Sequence, residues 1–338
     1  MCRQTSVNRW NDIKYSITTI DEGIPDDLFM SCISYEPRTT GILEKLGKDY
    51  EADTGLFIIN ERFEKFVKVQ ENKQAIDNIL RISSFFNNSE FLSSSINNPI
   101  GIIMGIDRML KKRFANKRKI SITFDITTFP RCELLTIIYY LRHLPVIDSL
   151  RAFYVSPEKY GDWLSEGYRY STVPPFFEGP PTFERKTALF ILTGFEYGRV
   201  ASLIDDIEPS AVILGRPKPG TSDIFGDISE RIIDKLKRTR RVTTKIYDIP
   251  ANNPFLCRKC VEDIIQEHSQ SYDFFVATMG TKLQVLGTYL AYEKKPNFRI
   301  LYPIPLVYNI GDYSSGCRDV YEIVLNGNSN AESQSRNV

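Results

Sequence analysis

A glycine flanked by hydroxyl and ammonium groups follows an apolar stretch late in the chain. The segment reads Thr278-Met-Gly280-Thr281-Lys282, and it lies between the apolar run Phe274–Ala277 and a helical pattern. Backbone N–H groups at a helix start carry partial positive charge, and with a threonine hydroxyl and a lysine they suit a phosphate. In the structural alternative, Gly280 only makes the turn and Thr281 caps the helix. The segment therefore predicts either a phosphate site or a helix cap.

A comparable segment lies in the first half of the chain. Asp125-Ile-Thr127-Thr128-Phe-Pro-Arg131 follows the apolar strand predicted at Ile120–Phe124. The hydroxyls and Arg131 could hold a phosphate or a ribose. Asp125 would repel a phosphate, but it could accept a hydrogen bond from a ribose or a base. The structural alternative is an N-cap followed by a proline in the first helical turn.

Each half also places a carboxylate and a guanidinium after its first predicted strand. These residues are Glu36 and Arg38 in the first half, and Glu196 and Arg199 in the second. Such a pair could read the edge of a base or bind a phosphate. Charge pairs at this spacing are also frequent in purely structural networks. Both interpretations stay open from the sequence.

These parallels indicate an internal duplication. The phrase Gly-Asp-aromatic closes both halves, at 161–163 and 311–313, where Trp163 or Tyr313 could stack on a base. A different alignment, of 247–249 with 124–126, is also compatible with the sequence. We prefer the first alignment because it preserves three landmarks in order. Either alignment predicts two related α/β halves.

The elements that position these residues alternate along the chain. Apolar strands separated by helical patterns of about 10–15 residues predict βαβ units with mainly parallel sheets. We therefore predict two tandem Rossmann-like units, whose strand-end loops are the usual ligand sites. The predicted organisation is a first lobe at 1–172 with a helical insert at 62–119, a Pro/Gly-rich linker at 173–186, a second lobe at 187–325 and a disordered tail at 326–338.

Composition excludes several classes of function. Among 338 residues, 43 Lys and Arg balance 42 Asp and Glu, and the net charge of +1 gives no global attraction to nucleic acid or an anionic membrane. No apolar run reaches the length of about 18–20 residues that spans a bilayer. The amino terminus has no secretory pattern, and six cysteines in a chain of this length fit a reducing cytoplasm.

The sequence contains few residues in patterns typical of metal sites or of histidine catalysis. The motif Cys257-Arg-Lys-Cys260 has no second ligand pair for zinc, so we predict no metal and no cofactor. His143 and His268 are the only histidines, and each lies near a predicted helix end, where a structural role is favoured. The sequence therefore leans away from an enzyme without excluding one.

Two basic runs, Lys111–Lys119 and Lys235–Arg241, each end a predicted helix. Lysine and arginine suit the negative end of the helix dipole, so a solvated face is the simplest interpretation. If both runs faced one side, they could attract nucleic acid or an acidic partner.

The strand-end loops resemble those of the CARF and SAVED group of Rossmann-like sensor domains from prokaryotic antiviral systems. The resemblance rests on 125–131 and on Thr278-Met-Gly-Thr-Lys-Leu-Gln-Val-Leu-Gly287, and the tandem arrangement is similar to SAVED. It implies a cyclic or linear oligonucleotide second messenger as the ligand. The chain departs from the pattern at Phe129-Pro130, where the family has glycine. We recognise no attached effector domain, so either the effector is a separate chain or the ligand implied by the resemblance is wrong.

Three functions follow as hypotheses. The first is a sensor or partner-binding module that binds a nucleotide second messenger, or another phosphorylated small molecule, and signals to a separate effector protein. The second is a nucleotide-processing enzyme such as a metal-independent phosphodiesterase, with Lys282, Thr281 and Arg131 as the phosphate clamp. The third is a structural subunit of a defence complex that docks its partner through 62–119. Self-association is compatible with all three.

Overall fold

The computed structural model describes residues 13–14, 26–47, 50–60, 73–95, 97–180, 185–220, 223–239 and 243–325. The lead-in before residue 26, apart from 13–14, and the tail from 326 lie outside the described residues, as do 181–184 of the predicted linker. The chain forms two compact units. One contains 1–129, 137–158 and 316–338, and the other contains 130–136 and 159–315.

Strands and helices alternate along most of the chain. The strands are β1 Ile13–Lys14, β2 Asp26–Ile33, β3 Ala52–Asn60, β4 Ser89–Ser94, β5 Ile120–Asp125, β6 Ile147–Val155, β7 Lys159–Tyr160, β8 Ser165–Glu166, β9 Tyr170–Thr172, β10 Lys186–Leu192, β11 Ala211–Pro217, β12 Thr243–Ile249, β13 Tyr272–Thr278, β14 Arg299–Ile304, β15 Val307–Tyr308, β16 Ser314–Ser315 and β17 Val320–Val324. The helices are α1 Gly41–Leu46, α2 Lys73–Ser83, α3 Pro99–Arg113, α4 Arg131–Arg142, α5 Tyr197–Ile207, α6 Asp223–Thr239, α7 Pro254–His268 and α8 Lys282–Lys294, and a 3₁₀ turn at Pro37–Thr39 precedes α1.

The first sheet has seven strands in the order β1-β17-β6-β5-β2-β3-β4. Strands β2 to β6 are parallel, whereas β17 pairs antiparallel with β6 and with β1. The second sheet has six strands in the order β12-β11-β10-β13-β14-β9. Its strands β10 to β14 are parallel, and β9 is antiparallel to β14. The prediction of an α/β fold with two mainly parallel sheets is confirmed.

The two sheets match strand for strand. In each, five parallel strands run in the order 3-2-1-4-5, the arrangement of a Rossmann-like half. In each, an antiparallel strand extends the edge beside the fifth strand, and it comes from the other half of the sequence. Strand β9 follows the first five parallel strands yet lies in the second sheet, and β17 follows the second five yet lies in the first. The linear domain boundaries predicted from sequence do not describe this exchange.

This order also decides between the two internal alignments. Strand β5 is the fourth parallel strand of the first sheet, and β13 is the fourth of the second. The loops at 125–131 and 278–282 therefore occupy equivalent positions, as in the preferred alignment. The alternative would pair β12 with β5, and the strand order does not support it.

The region 62–119 contains more than helices. Helices α2 and α3 lie in this region, at 73–83 and 99–113, but β4 lies between them and extends the first sheet beside β3. Its sequence, Ser-Glu-Phe-Leu-Ser-Ser, looks like a polar break because β4 is an edge strand with only part of its surface buried. The segment α2-β4-α3 of the first unit thus corresponds to α6-β12-α7 of the second unit. The region predicted as a helical insert therefore also contains a strand of the sheet.

The described part of the predicted linker, 173–180, belongs to the second unit and packs into it. Phe177 is fully buried, and its ring contacts those of Tyr289 and Tyr292 in α8. The Ile300 amide donates to the Phe177 carbonyl at 3.1 Å, and the Gly179 amide donates to the Tyr292 hydroxyl at 3.2 Å. The prolines thus prevent regular structure in this segment without separating it from the core.

Apolar runs form the core of each unit. Strands β10 and β13 are buried on both faces, which explains their near-continuous hydrophobic sequence. In the first unit, Phe29 stacks on Phe86 with ring centroids 5.2 Å apart, and both contact Phe57. Within the described residues, no helix is long and apolar enough to cross a membrane.

Candidate functional site

The strand order of the second sheet reverses between β10 and β13. These strands are parallel neighbours, with Leu192 opposite Thr278, so their following loops leave the sheet at the same edge. Connections on the two sides of a reversal diverge and leave a crevice, which is where open α/β sheets bind ligands. The residues after β10 include Glu196 and Arg199, and the residues after β13 include Gly280 and Thr281.

Arg199 lies in the first turn of α5 with only 2% of its side chain exposed. Its Nη2 group contacts the Glu196 carboxylate, which also accepts a hydrogen bond from the Ser165 hydroxyl. The Nε and Nη1 groups of Arg199 have no partner among the described residues. Unsatisfied N–H groups on a buried cation are costly, so this guanidinium is suited to a hydrogen-bond acceptor from outside the fold.

Arg131 contributes a second guanidinium to the second unit. The sequence grouped it with Asp125, but its Nη2 donates to the carbonyls of Gly280 at 2.6 Å and of Met279 at 3.3 Å. Its Nε group is buried and has no partner among the described residues. Burial opposes the charged form, but the oxygens of nearby tyrosines and of Glu196 outweigh it and raise the pKa of Arg131. Arg131 thus stays charged.

Three tyrosines surround these cations. Tyr302, Tyr308 and Tyr313 lie near Arg131, and Tyr308 also lies near Arg199. The hydroxyls of Tyr302 and Tyr308 are 3.1 Å apart, and burial raises the pKa of Tyr308, so that its hydroxyl stays neutral. The fully buried Thr278 hydroxyl has no partner among the described residues. Two guanidiniums and several hydroxyls make this edge a candidate anion site, with the Glu196 carboxylate beside Arg199.

The closing phrases of the two halves pair with each other in the second unit. Strand β7 pairs with β16 and β8 pairs with β15, so that Ser165 lies opposite Tyr308. A Cβ atom on Gly161 would lie 1.7 Å from the Asp312 carbonyl oxygen, so only glycine fits there. The Asn309 side chain links the two closing phrases, because it donates to the Trp163 and Asp312 carbonyls, both at 2.9 Å. This pairing carries Ser165 and Tyr308 to the site, and sequence analysis missed both.

A cavity of about 360 Å³ opens beside Arg199. Its lining comes from the closing phrase of the first half and from the loop and helix start after β10. The residues are Asp162, Trp163, Leu164, Ser165, Glu166, Gly167, Phe195, Glu196, Tyr197, Gly198 and Arg199. Arg199 is part of this lining, although only 2% of its side chain is exposed.

The loop 278–282 uses most of its polar groups internally. Thr281 is the N-cap of α8, where its hydroxyl accepts from the Gln284 amide at 3.2 Å and donates to the Ala251 carbonyl at 2.6 Å. The Gln284 side chain returns to the Thr281 amide and completes a capping box. A Cβ atom on Gly280 would lie 1.9 Å from the Gln284 side-chain oxygen, so glycine leaves room for this cap. Lys282 begins the helix.

These contacts give a prediction for Thr281→Ala. Loss of the cap should lower the free energy of unfolding by about 1 kcal/mol, in the usual range for an N-cap. Ligand affinity should change less than about threefold, because the hydroxyl is already engaged within the fold. Denaturant titration and calorimetry measure the two effects. A variant of normal stability that has lost the ligand would instead identify Thr281 as a binding residue.

The equivalent groups of the first unit are engaged by their own chain. Arg38 donates to Glu36 and, through Nη1 at 2.9 Å, to the Val155 carbonyl. The Thr127 hydroxyl accepts from the Val155 amide at 3.0 Å, and the Thr128 hydroxyl donates to the Cys32 carbonyl at 2.6 Å. All of these side chains are buried. The two units therefore differ at the position where a ligand would bind.

Asp125 is fully buried, and one carboxylate oxygen accepts from the Thr127 amide at 3.0 Å. Burial raises the pKa of this carboxyl group to about 7, from 3.8. The folded protein thus holds a proton that the unfolded chain releases, so stability should fall as the pH rises from about 4 to 7, by at most about 1.4 kcal/mol per pH unit.

The variant Asp125→Asn should remove that dependence. Chemical denaturation at pH 5, 6 and 7 measures it, and we expect the decline in stability of the parent protein to be flatter in the variant. A parallel decline in both proteins would assign the pH dependence to other groups.

The basic run Lys111–Lys119 is largely ion-paired. Within it, Arg113 lies 2.5 Å and Lys112 3.6 Å from Glu90, and Lys119 lies 2.5 Å from Asp148. In the second run, Lys235 lies over the Tyr197 ring at 3.9 Å, and 240–241 lie outside the described residues. These contacts fit solvated faces, and nucleic-acid binding stays a prediction.

The remaining sequence candidates lie apart from the site. Burial raises the pKa of the Cys257 thiol, which makes it a poor nucleophile. His143 contacts the Tyr139 carbonyl, and His268 contacts the Tyr247 hydroxyl. Among the described residues, no group of three or more His, Cys, Asp or Glu side chains could hold a metal.

Comparisons with known proteins agree with the fold. No protein-family model and no curated protein matches the chain. Among solved structures, it is similar to that of a Type III CRISPR defence DNA nuclease activated by cyclic oligoadenylate, with a TM-score of 0.50 and 10% identity. The match covers 82% of this chain and 65% of that one. At this identity, the similarity supports a shared α/β architecture.

A second match carries no argument. It is to the adenylation, ketoreductase and pseudo Asub multidomain structure of a keto acid-selecting NRPS module. The TM-score is 0.22 at 12% identity, and the match covers 85% of this chain and 31% of that one.

Proposed function

We propose that this protein is a nucleotide sensor of a prokaryotic defence system, which binds a phosphorylated nucleotide second messenger and signals to a separate effector protein. The observation that carries the proposal is the buried Arg199 guanidinium, whose Nε and Nη1 groups lack partners among the described residues. It lies at the strand-order reversal of the second sheet, beside a cavity of about 360 Å³.

The ligand class follows from charge and geometry. Arg199 and Arg131 are the cations of the site, Glu196 pairs with Arg199, and the exposed Asp162 and Glu166 also line the cavity. A phosphate is the acceptor that best matches a planar guanidinium, because two parallel N–H groups bind two of its oxygens. Aromatic rings at the same cavity suit a base, so a nucleotide satisfies both parts of the site.

The defence context is supported by the solved structure to which the chain is similar. That protein is a DNA nuclease activated by cyclic oligoadenylate, and the present chain covers 65% of its length. By analogy with that protein, we assign messenger binding to the Rossmann-like units of this chain. We therefore propose that the effector here is a different protein, and that self-association of this chain belongs to the same signalling step.

Calorimetric titration of the full chain tests the proposal. Protein at about 50 µM, a concentration that detects micromolar binding, is titrated with cyclic di- and trinucleotides in matched guanine, hypoxanthine, adenine and uracil versions. We expect saturable binding of at least one member, with one site per chain. Absence of binding across the panel would overturn the proposal.

The same samples distinguish a sensor from an enzyme. Chromatography after prolonged incubation should return each bound nucleotide unchanged. Ring-opened products that depend on the protein would replace the sensor with a metal-independent phosphodiesterase acting at this site.

A further inference from the structure

The cavity beside Arg199 offers two kinds of polar group. Arg199 lines the cavity, and its buried guanidinium keeps two N–H groups without a partner among the described residues, which suits a hydrogen-bond acceptor. Asp162 and Glu166 also line the cavity, both are exposed, and neither carboxylate has a hydrogen-bond or ion-pair partner among the described residues. A carboxylate only accepts hydrogen bonds, so this part of the cavity calls for donors. A matching ligand is anionic at one end and rich in N–H groups at the other.

The aromatic residues of the cavity indicate a planar ligand. Trp163 is 39% exposed, whereas Phe195 and Tyr197 are partly buried. The Tyr197 ring is held by Lys235, 3.9 Å from its centroid, and by a contact of 3.0 Å between its hydroxyl and that of Thr239. Rings fixed in this way lose little entropy when a base stacks on them.

The bases differ in what they present to a carboxylate. The Watson–Crick edge of guanine has two adjacent donors, N1–H and the N2 amino group, which match the two oxygens of one carboxylate. Adenine places its amino group beside the acceptor N1, which a carboxylate repels. The single N–H of uracil lies between two carbonyls. Carboxylates therefore favour guanine, while amide side chains suit adenine.

We propose that this cavity reads a guanine base, with Asp162 and Glu166 as the specificity-determining carboxylates and Arg199 binding the attached phosphate. The inference rests on the proposed function, because it names the base of the nucleotide that the sensor binds. The proposed base differs from that of the cyclic oligoadenylate that activates the similar nuclease. That difference makes it testable with matched ligands.

The test compares cyclic di-GMP, cyclic di-IMP and cyclic di-AMP by calorimetry with the full chain. One bidentate contact predicts binding of the guanine compound about tenfold more tightly than the adenine compound. Hypoxanthine retains N1–H but lacks the amino group, so the inosine compound should bind with intermediate affinity. Equal or tighter binding of the adenine compound would overturn the guanine assignment and leave the proposed sensor function intact. If none of the three compounds and no member of the wider panel binds, both the guanine assignment and the proposed sensor function are overturned.

Two amide variants test which carboxylate contacts the base. In Asp162→Asn and Glu166→Gln, an amide N–H₂ replaces one carboxylate oxygen, so the preference for guanine should fall at least fivefold in one or both variants. Both side chains are exposed, and thermal unfolding should confirm that the fold is retained. If both variants keep the full guanine preference, these carboxylates do not read the base.

Discussion

Arg199→Met should reduce the affinity for the nucleotide ligand at least about 100-fold. The substitution keeps an unbranched apolar stem of similar length and removes the whole guanidinium. Loss of a charge-assisted, bidentate contact to phosphate in a buried site is worth about 3 kcal/mol, which corresponds to this factor. Calorimetric titration with the tightest member of the nucleotide panel measures the effect.

The folded state should tolerate this change. Arg199 contacts Glu196 through one nitrogen only, and the Glu196 carboxylate keeps the Ser165 hydroxyl and borders an open cavity. The substitution also removes two buried N–H groups that lack partners among the described residues. We therefore expect the free energy of unfolding to fall by about 1–3 kcal/mol, less than a fully engaged buried ion pair costs. A stable variant with undiminished affinity would exclude Arg199 as the phosphate ligand.

The sequence predicted the strands well where burial makes them continuous. Strand β13 contains the predicted apolar run 274–277, because an apolar run between polar segments defines such an element locally. Strand β4 was missed because its serines look like a turn, and only its pairing with β3 makes it a strand. The short strands β7, β8, β15 and β16 also depend on pairing between residues more than 140 positions apart.

The site was predictable in part for the same reason. Glu196 and Arg199 are local to one strand end, and their types and spacing pointed to a charge pair. The sequence could not show which of the two arginines keeps N–H groups without a partner. The Val155 carbonyl accepts a hydrogen bond from Arg38, whereas no carbonyl among the described residues does so for the Nε and Nη1 groups of Arg199. Tyr308 and Ser165 reach the site through long-range pairing, although the repeated Gly-Asp-aromatic phrase marked the segments that carry them.

Arg38→Met, the matched substitution in the first unit, should have the opposite profile. Arg38 is 4% exposed and Glu36 is 7% exposed, and the guanidinium donates to the Glu36 carboxylate and to the Val155 carbonyl. Removing it leaves a buried carboxylate without its cation and a buried carbonyl without its donor. Breaking one partner of a buried ion pair typically destabilises a protein by about 3–5 kcal/mol.

Urea denaturation measures this loss, and calorimetry at a temperature where the variant is folded measures the ligand. We expect affinity within about twofold of the parent protein, because the first unit uses these groups to hold its own chain. The nearby Asp125 adds a pH dependence to this result. Without the positive charge of Arg38, the negative charges of Glu36 and Asp125 repel each other. The destabilisation should therefore be greatest above pH 7, where Asp125 ionises. Loss of binding in Arg38→Met together with normal binding in Arg199→Met would move the nucleotide site to the first unit. Equal losses in both variants would mean that both units bind the ligand.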